Sequence, residues 1–250
     1  MLVLTLCLYF TLATCGLAIG LIVLRYDLYE QEPWYLILTA CLLGASAMWI
    51  AGQLEVGIIR ACTSQGLQIP NPLLATIAGS TEEFAKFSVV VLLWAALARH
   101  FNDPLDGLIY GSFAGLGAAL EESVFVLSRS HITGYLPPTE PVRLCGHLVM
   151  GGIGAYGLGL LTIRSRWSVP VIVLCLAAAA ALHTAWDIAA FSASDSYRLK
   201  LRVESWHTTI PIALMLTGMV TFRRLAAIGA RLTRSKLQIC DVRTRVCAPD

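Results

Sequence analysis

Ser80-Thr81-Glu82-Glu83-Phe84-Ala85-Lys86-Phe87 places three ionisable residues inside an otherwise apolar run from Leu73 to Ala98. A helix needs about 20 apolar residues to cross a bilayer, and this run is long enough. A charged side chain at the middle of such a helix costs roughly 2.5–3.5 kcal/mol. Glu82 and Lys86 are four apart, so they share a helix face and can neutralise one another. Glu83 is turned about 100° from Glu82 and is left over. An intramembrane carboxylate without an obvious partner marks a functional site, unless the three charges only pin helices together.

The rest of the chain repeats the apolar pattern. Of 250 residues, 57% are hydrophobic and 14% charged, too apolar for an ordinary soluble domain. Apolar runs at about 2–24, 35–59, 73–98, 105–127, 144–163, 169–191 and 209–222 predict an all-α, polytopic transmembrane helix bundle of about seven spans. Residues 1–222 then form the membrane domain and 223–250 a basic tail. The first run has no Lys or Arg before it and exceeds a signal-peptide core, so it reads as a retained span. An acidic hinge, Asp27 to Pro33, follows it, and Ser128 to Arg143 reads as a polar loop carrying Pro137-Pro138. The eight cysteines show no zinc-type spacing and read as small apolar packers; Cys240 and Cys247 could pair. A net charge of +2 gives no nucleic-acid footprint. The basic tail favours an N-terminus outside and a C-terminus in the cytoplasm, the protein being integral to the cell membrane.

Other polar residues also sit inside the spans. Gly107, Gly111 and Gly115 give the fourth a smooth packing stripe, and the same span then delivers Glu121-Glu122-Ser123. His147 opens the fifth span, and the sixth ends in His183-Thr184-Ala185-Trp186-Asp187. Counting from the span ends at 1.5 Å per residue, Glu82 lies roughly 14 Å deep, Glu122 roughly 8 Å, His147 about 5 Å and His183 about 12 Å. Because spans alternate in direction, all four fall in one half of the bilayer. A proton carrier would need polar residues across the full thickness, and these stop halfway.

Histidines and carboxylates at one depth suit two chemistries. They can hold a divalent metal, or a carboxylate can act as general base on water while histidine stabilises or protonates the leaving group. Either leads to hydrolysis inside a membrane. Asp187, four residues after His183, could fix its imidazole tautomer. No His-Glu-x-x-His helix is present, and no serine or cysteine nucleophile context is recognisable. His100, His131 and His207 read as interface or loop residues.

Glu82-Glu83-Phe84-Ala85-Lys86 resembles the EExxK motif of the PrsW family of intramembrane proteases, distant relatives of the CAAX prenyl endopeptidases. Gly115-Leu116-Gly117-Ala118-Ala119-Leu120-Glu121-Glu122-Ser123 is similar to the family's GLGFAxxEN motif, with Ala118 for phenylalanine and Ser123 for asparagine. His147 with Gly151 and Gly154 resembles the third motif, His183 to Asp187 the HxxxD-type fourth, and the Asp27 to Pro33 hinge the family's acidic segment ending in EP. The resemblance covers roughly residues 25 to 190, in order. It implies a multi-pass endopeptidase, metal-dependent or glutamate-based, that cleaves a single-pass membrane partner within the lipid bilayer, anti-sigma factors being the family's kind of substrate. Glu82, Glu83, Glu122, His147 and His183 would be catalytic, supported by Lys86 and Asp187. His147, His183 and Glu122 would hold a divalent metal such as zinc. The wider group also contains a non-catalytic membrane scaffold, which is the alternative function.

Overall fold

The computed structural model describes residues 2–26, 31–97, 99–129, 135–198 and 206–246; side chains at 193–198, 206–208 and 237–246 fall outside that description. Asp27, His131, Lys200, Arg202 and Cys247 lie outside the described residues, as do the side chains of His207 and Cys240.

Among the described residues the chain is helical without strands. Seven α-helices follow in order: α1 Leu2–Val23, α2 Trp34–Ser64, α3 Asn71–Ala96, α4 Asp106–Arg129, α5 Thr139–Gly159, α6 Ser168–Arg198 and α7 Trp206–Val246. Five of them (α1, α2, α5, α6 and α7) are long and apolar enough to cross a membrane. The other two, α3 and α4, carry the acidic pairs in their sequences, and both pack into the bundle. The architecture is the expected all-α membrane bundle.

Local sequence sets the helix starts. Pro72 occupies the first turn of α3, where its missing N–H loses nothing. The start of α4 is capped from both sides. Asp103 Oδ1 accepts the Leu105 N–H at 2.7 Å, while Asp106 Oδ2 accepts the Asp103 N–H at 2.6 Å, a reciprocal arrangement that satisfies free backbone donors. Pro138 precedes α5, and Glu140 in its first turn suits the positive end of the helix dipole.

Four boundaries differ from the sequence expectation, one of them the end of the sixth span, which runs on to Arg198 rather than stopping near residue 191. The predicted 128–143 loop is shorter, because α5 already begins at Thr139. His147 is therefore eight residues into its helix, roughly 12 Å at the helical rise, close to the depth of Glu82. The second span runs on to Ser64. The seventh span and the basic tail as far as Val246 form one helix, whose buried face continues through Phe222, Ala226, Gly229 and Thr233.

The centre of the bundle is the α4–α5 pair, its most extensive interface. A Cβ at Gly107, Gly111 or Gly115 would fall 2.4, 2.4 or 2.1 Å from the carbonyl oxygens of Ala155, Gly151 and His147. Only glycine permits this approach. Around that pair, α2 packs on α4, and α6 on both α3 and α5. The outer helices are apolar toward lipid: Phe84 on α3 and Leu174 on α6 are 62% and 69% exposed. On the same helices Glu83 and His183 are 1% and 2% exposed. Polar residues face the interior and apolar ones the lipid, as a spanning bundle requires.

Candidate active site

The buried face of α3 presents Glu82, Glu83 and Lys86 to the interior. Lys86 pairs with Glu83, not with Glu82 as the four-residue spacing suggested. Residues three apart are also neighbours on a helix, and here Glu83 points at the lysine while Glu82 turns toward α6. The carboxylate left over is therefore Glu82. Lys86 Nζ also lies 3.2 Å from His147 Nδ1; an ammonium has only protons to give, so the imidazole nitrogen accepts.

Glu83 Oε1 receives a second hydrogen bond, from His183 Nδ1 at 2.8 Å. That bond fixes the tautomer and leaves the Nε2 lone pair free. Nε2 faces Glu82 Oε2 at 3.5 Å and Asp187 Oδ2 at 3.7 Å. Asp187 was expected to set the tautomer. Glu83 holds that position instead, because the ring turns Nδ1 toward α3 and only its other edge toward the next turn of α6. The rings of His147 and His183 meet edge to face, with centroids 4.9 Å apart.

On α4, Glu122 Oε2 comes within 3.1 Å of His147 Nε2 without the alignment of a hydrogen bond. Its other oxygen lies 3.6 Å from Arg143 Nε, and Arg143 Nη1 bonds both oxygens of the buried Glu140, at 3.0 and 3.2 Å. Neither Arg143 nor Glu140 was legible as a site residue while the segment read as a loop. The signals were Pro137-Pro138-Thr139-Glu140, a helix start, and the four-residue spacing of Arg143 and His147 on one face. On the α2 side, Thr81 Oγ1 donates to Glu55 Oε1 at 2.6 Å. Ser123, beside Glu122, is fully buried.

The structure thus brings Glu82, Glu83, Lys86, Glu122, His147, His183 and Asp187 together from four helices. One ligand atom each from Glu82, His147 and His183 lies within 4.8 Å of the others. Two imidazoles and a carboxylate suit a divalent transition metal such as zinc. Two further features fit a cation. Glu82 Oε2 and Glu122 Oε2 are buried without hydrogen-bond partners, which is costly unless something else satisfies them. Among the described residues, the carboxylates of this cluster (Glu55, Glu82, Glu83, Glu122, Glu140 and Asp187) also outnumber Lys86 and Arg143, the lysine and arginine paired with them.

Comparison with known proteins gives the family. A family model described as PrsW family intramembrane metalloprotease matches residues 32–220. Protease PrsW of Bacillus subtilis (strain 168) is 25% identical over 209 residues, covering 79% of this chain and 91% of that protein. Protease PrsW of Clostridioides difficile (strain 630) is 32% identical over 124 residues, 48% of this chain and 51% of that protein. No solved structure matches. A multi-pass helical bundle with clustered glutamates and histidines at its centre, matched over most of its length, makes this chain a member of the PrsW family of intramembrane metalloproteases and a peptide hydrolase.

Proposed function

We propose that this protein hydrolyses a peptide bond of a single-pass membrane-anchored partner near the outer membrane surface, with its N-terminus outside and its C-terminus in the cytoplasm. Anti-sigma factors are the substrate class that the family resemblance implies. The observation that carries the reading is the convergence of Glu82, His147 and His183, from three different helices, within 4.8 Å.

Glu82, His147 and His183 would hold a divalent ion, zinc by the preference of imidazole and carboxylate donors. Glu82 takes the carboxylate place in that set because its ligand atom is near both imidazoles, whereas Glu122 lies against His147. When bound, the ion would polarise the scissile carbonyl and an attacking water. Glu83 orients His183 through Nδ1, and Lys86 balances the charge of Glu83. Glu122, with one oxygen unpartnered, serves as general base. It takes a proton from water as the oxygen adds to the carbonyl carbon, and returns it to the amide nitrogen as the C–N bond breaks. The substrate must be unwound at the cleaved bond, since a helix hides its carbonyls in its own hydrogen bonds.

The experiment reconstitutes the protein with a single-pass substrate and maps new termini. Glu82→Gln keeps size but removes the charge, and is expected to abolish turnover while leaving partner binding largely intact. Metal analysis of wild type beside a His147/His183 double mutant is expected to show about one equivalent lost. A Glu82→Gln protein that cuts at the wild-type rate would remove Glu82 from the mechanism.

A further inference from the structure

The end of the bundle opposite the acidic site carries a different kind of surface. The ends of α1, α3 and α5 and the middle of α7 meet there. Tyr26, just past α1, stacks edge to face on Phe222 of α7, with centroids 5.7 Å apart. Thr233 of α7 donates to Asp103 in the α3–α4 turn at 2.7 Å, and Lys236 Nζ donates to the Asn102 carbonyl at 2.8 Å. Pro104 of the same turn lies against Gly159, the last residue of α5.

The described acids at this end are engaged internally. Asp103 and Asp106 cap α4, and Glu32 accepts from the Tyr110 hydroxyl. The arginines point outward. Arg223, Arg224, Arg231 and Arg234 are all exposed. At 100° per residue these four fall within about 100° of one another, on the side of α7 away from its buried Phe222–Ala226–Gly229–Thr233 face. No acidic residue occurs between Trp206 and Lys236. Arg25, exposed beside Tyr26, adds a cation from α1.

An apolar groove leads to this stripe. It runs between α1, α5 and α7, lined by Ile19, Ile22, Tyr26, Leu148, Met219 and Phe222, and it reaches Arg223. A groove of hydrocarbon character that ends at a cation suits an acyl chain that carries an anionic group at one end. A zwitterionic headgroup would gain little from a stripe without acids, whereas an anionic one is attracted by each arginine.

We propose that this groove holds an acyl chain of an anionic phospholipid whose phosphate lies on Arg223, with the arginine stripe of α7 drawing the same lipid class to that end of the bundle. Since α7 is tied to the α3–α4 turn, the bound lipid would steady the helix that carries Glu82, Glu83 and Lys86. The binding itself needs no catalysis, so its test is separate from that of the protease reading.

The full-length protein in neutral detergent is titrated with phosphatidylglycerol or phosphatidylcholine of the same chains, and bound lipid is counted by native mass spectrometry. Wild type is expected to bind phosphatidylglycerol at least about tenfold more tightly than phosphatidylcholine. Arg223→Gln with Arg224→Gln is expected to remove most of that preference, Arg25, Arg231 and Arg234 keeping a remainder. Ile22→Trp, which fills the groove, is expected to weaken both. Arg223→Lys with Arg224→Lys keeps the charge and is expected to keep the preference, which covers the case of a glutamine variant that does not insert. Loss of the preference in the lysine variant, its full retention in the glutamine variant, or no preference in wild type would overturn the proposal. So would displacement of the lipid by glycerol phosphate at comparable concentration, since that makes the chain irrelevant.

Discussion

Gly115→Ala would place a Cβ 2.1 Å from the carbonyl oxygen of His147 and 2.8 Å from its carbonyl carbon. Ordinary contact at such an atom begins near 3.4 Å, so α5 has to retreat from α4 by about 1 Å or more. The obstacle is backbone, and no rotamer change relieves it. His147 rides on that backbone, and its imidazole is set against Lys86, Glu122 and His183. A displacement of about 1 Å costs a catalytic constellation on the order of 100-fold in rate. Overpacking alone costs about 1–3 kcal/mol of stability, which a bundle with this much buried contact can lose and still insert. The assay is cleavage of a co-expressed single-pass reporter, normalised to the protease in the membrane fraction. Gly146→Ala is the control: it sits next to His147, yet its nearest neighbours would be methionine methyls at 3.7 and 3.8 Å. It is expected to cut at close to the wild-type rate. If Gly115→Ala, at equal membrane level, also cuts at that rate, the α4 glycine stripe does not position His147 and the argument fails.

Lys86 balances Glu83 and touches His147, so Lys86→Arg is expected to retain more activity than Lys86→Ala, though the bulkier fork fits less well in a closed site. Equal loss in both at unchanged protein level would count against a charge-balancing role. Thr233→Val removes the hydroxyl that reaches Asp103, with an expected loss of about 1 kcal/mol in unfolding free energy. The check is thermal unfolding in detergent beside the cleavage assay: a lower Tm with unchanged cleavage is expected, and an unchanged Tm would show that this contact does not hold α7 to the turn.

The fold and the convergence of the polar residues were legible because both rest on chain order. Alternating spans alone put Glu82, Glu122, His147 and His183 at a common depth, and the structure brings these four together. Pairing within the cluster was not legible. Three- and four-residue spacings both place side chains on one helix face, and the choice of Glu83 over Glu82 as the partner of Lys86 depends on what α6 offers. There, His183 supplies one nitrogen to each glutamate. Asp187 was misplaced for a similar reason: sequence gives its neighbourhood to His183 but not which edge of the ring it meets. Arg143 and Glu140 were hidden by a polar composition that reads as loop, although a proline pair followed by an acid is also how a helix begins. The extent of α7 was hidden too, since charged residues end an apolar run without ending the helix beneath it.

The charges of this cluster also bear on how α3, α4, α5 and α6 are held together. A carboxylate within the hydrocarbon costs roughly 2.5–3.5 kcal/mol on insertion scales, and among the described residues those converging here outnumber Lys86 and Arg143, the lysine and arginine paired with them. Left to itself, that excess pushes α3, α4 and α6 apart. The opposing force is the close backbone contact of α4 and α5 across Gly107, Gly111 and Gly115, with α6 packed on both α3 and α5. Those contacts hold Glu122 and His147 from one side, and the Glu83–His183 hydrogen bond joins α3 to α6 from the other. What remains uncompensated is concentrated on the two unpartnered oxygens of Glu82 and Glu122. A divalent cation placed there would offset the excess and draw donors from α3, α5 and α6 at once. The packing of small residues and the cluster of carboxylates are therefore two halves of one arrangement, in which the scaffold keeps side chains together that would otherwise repel.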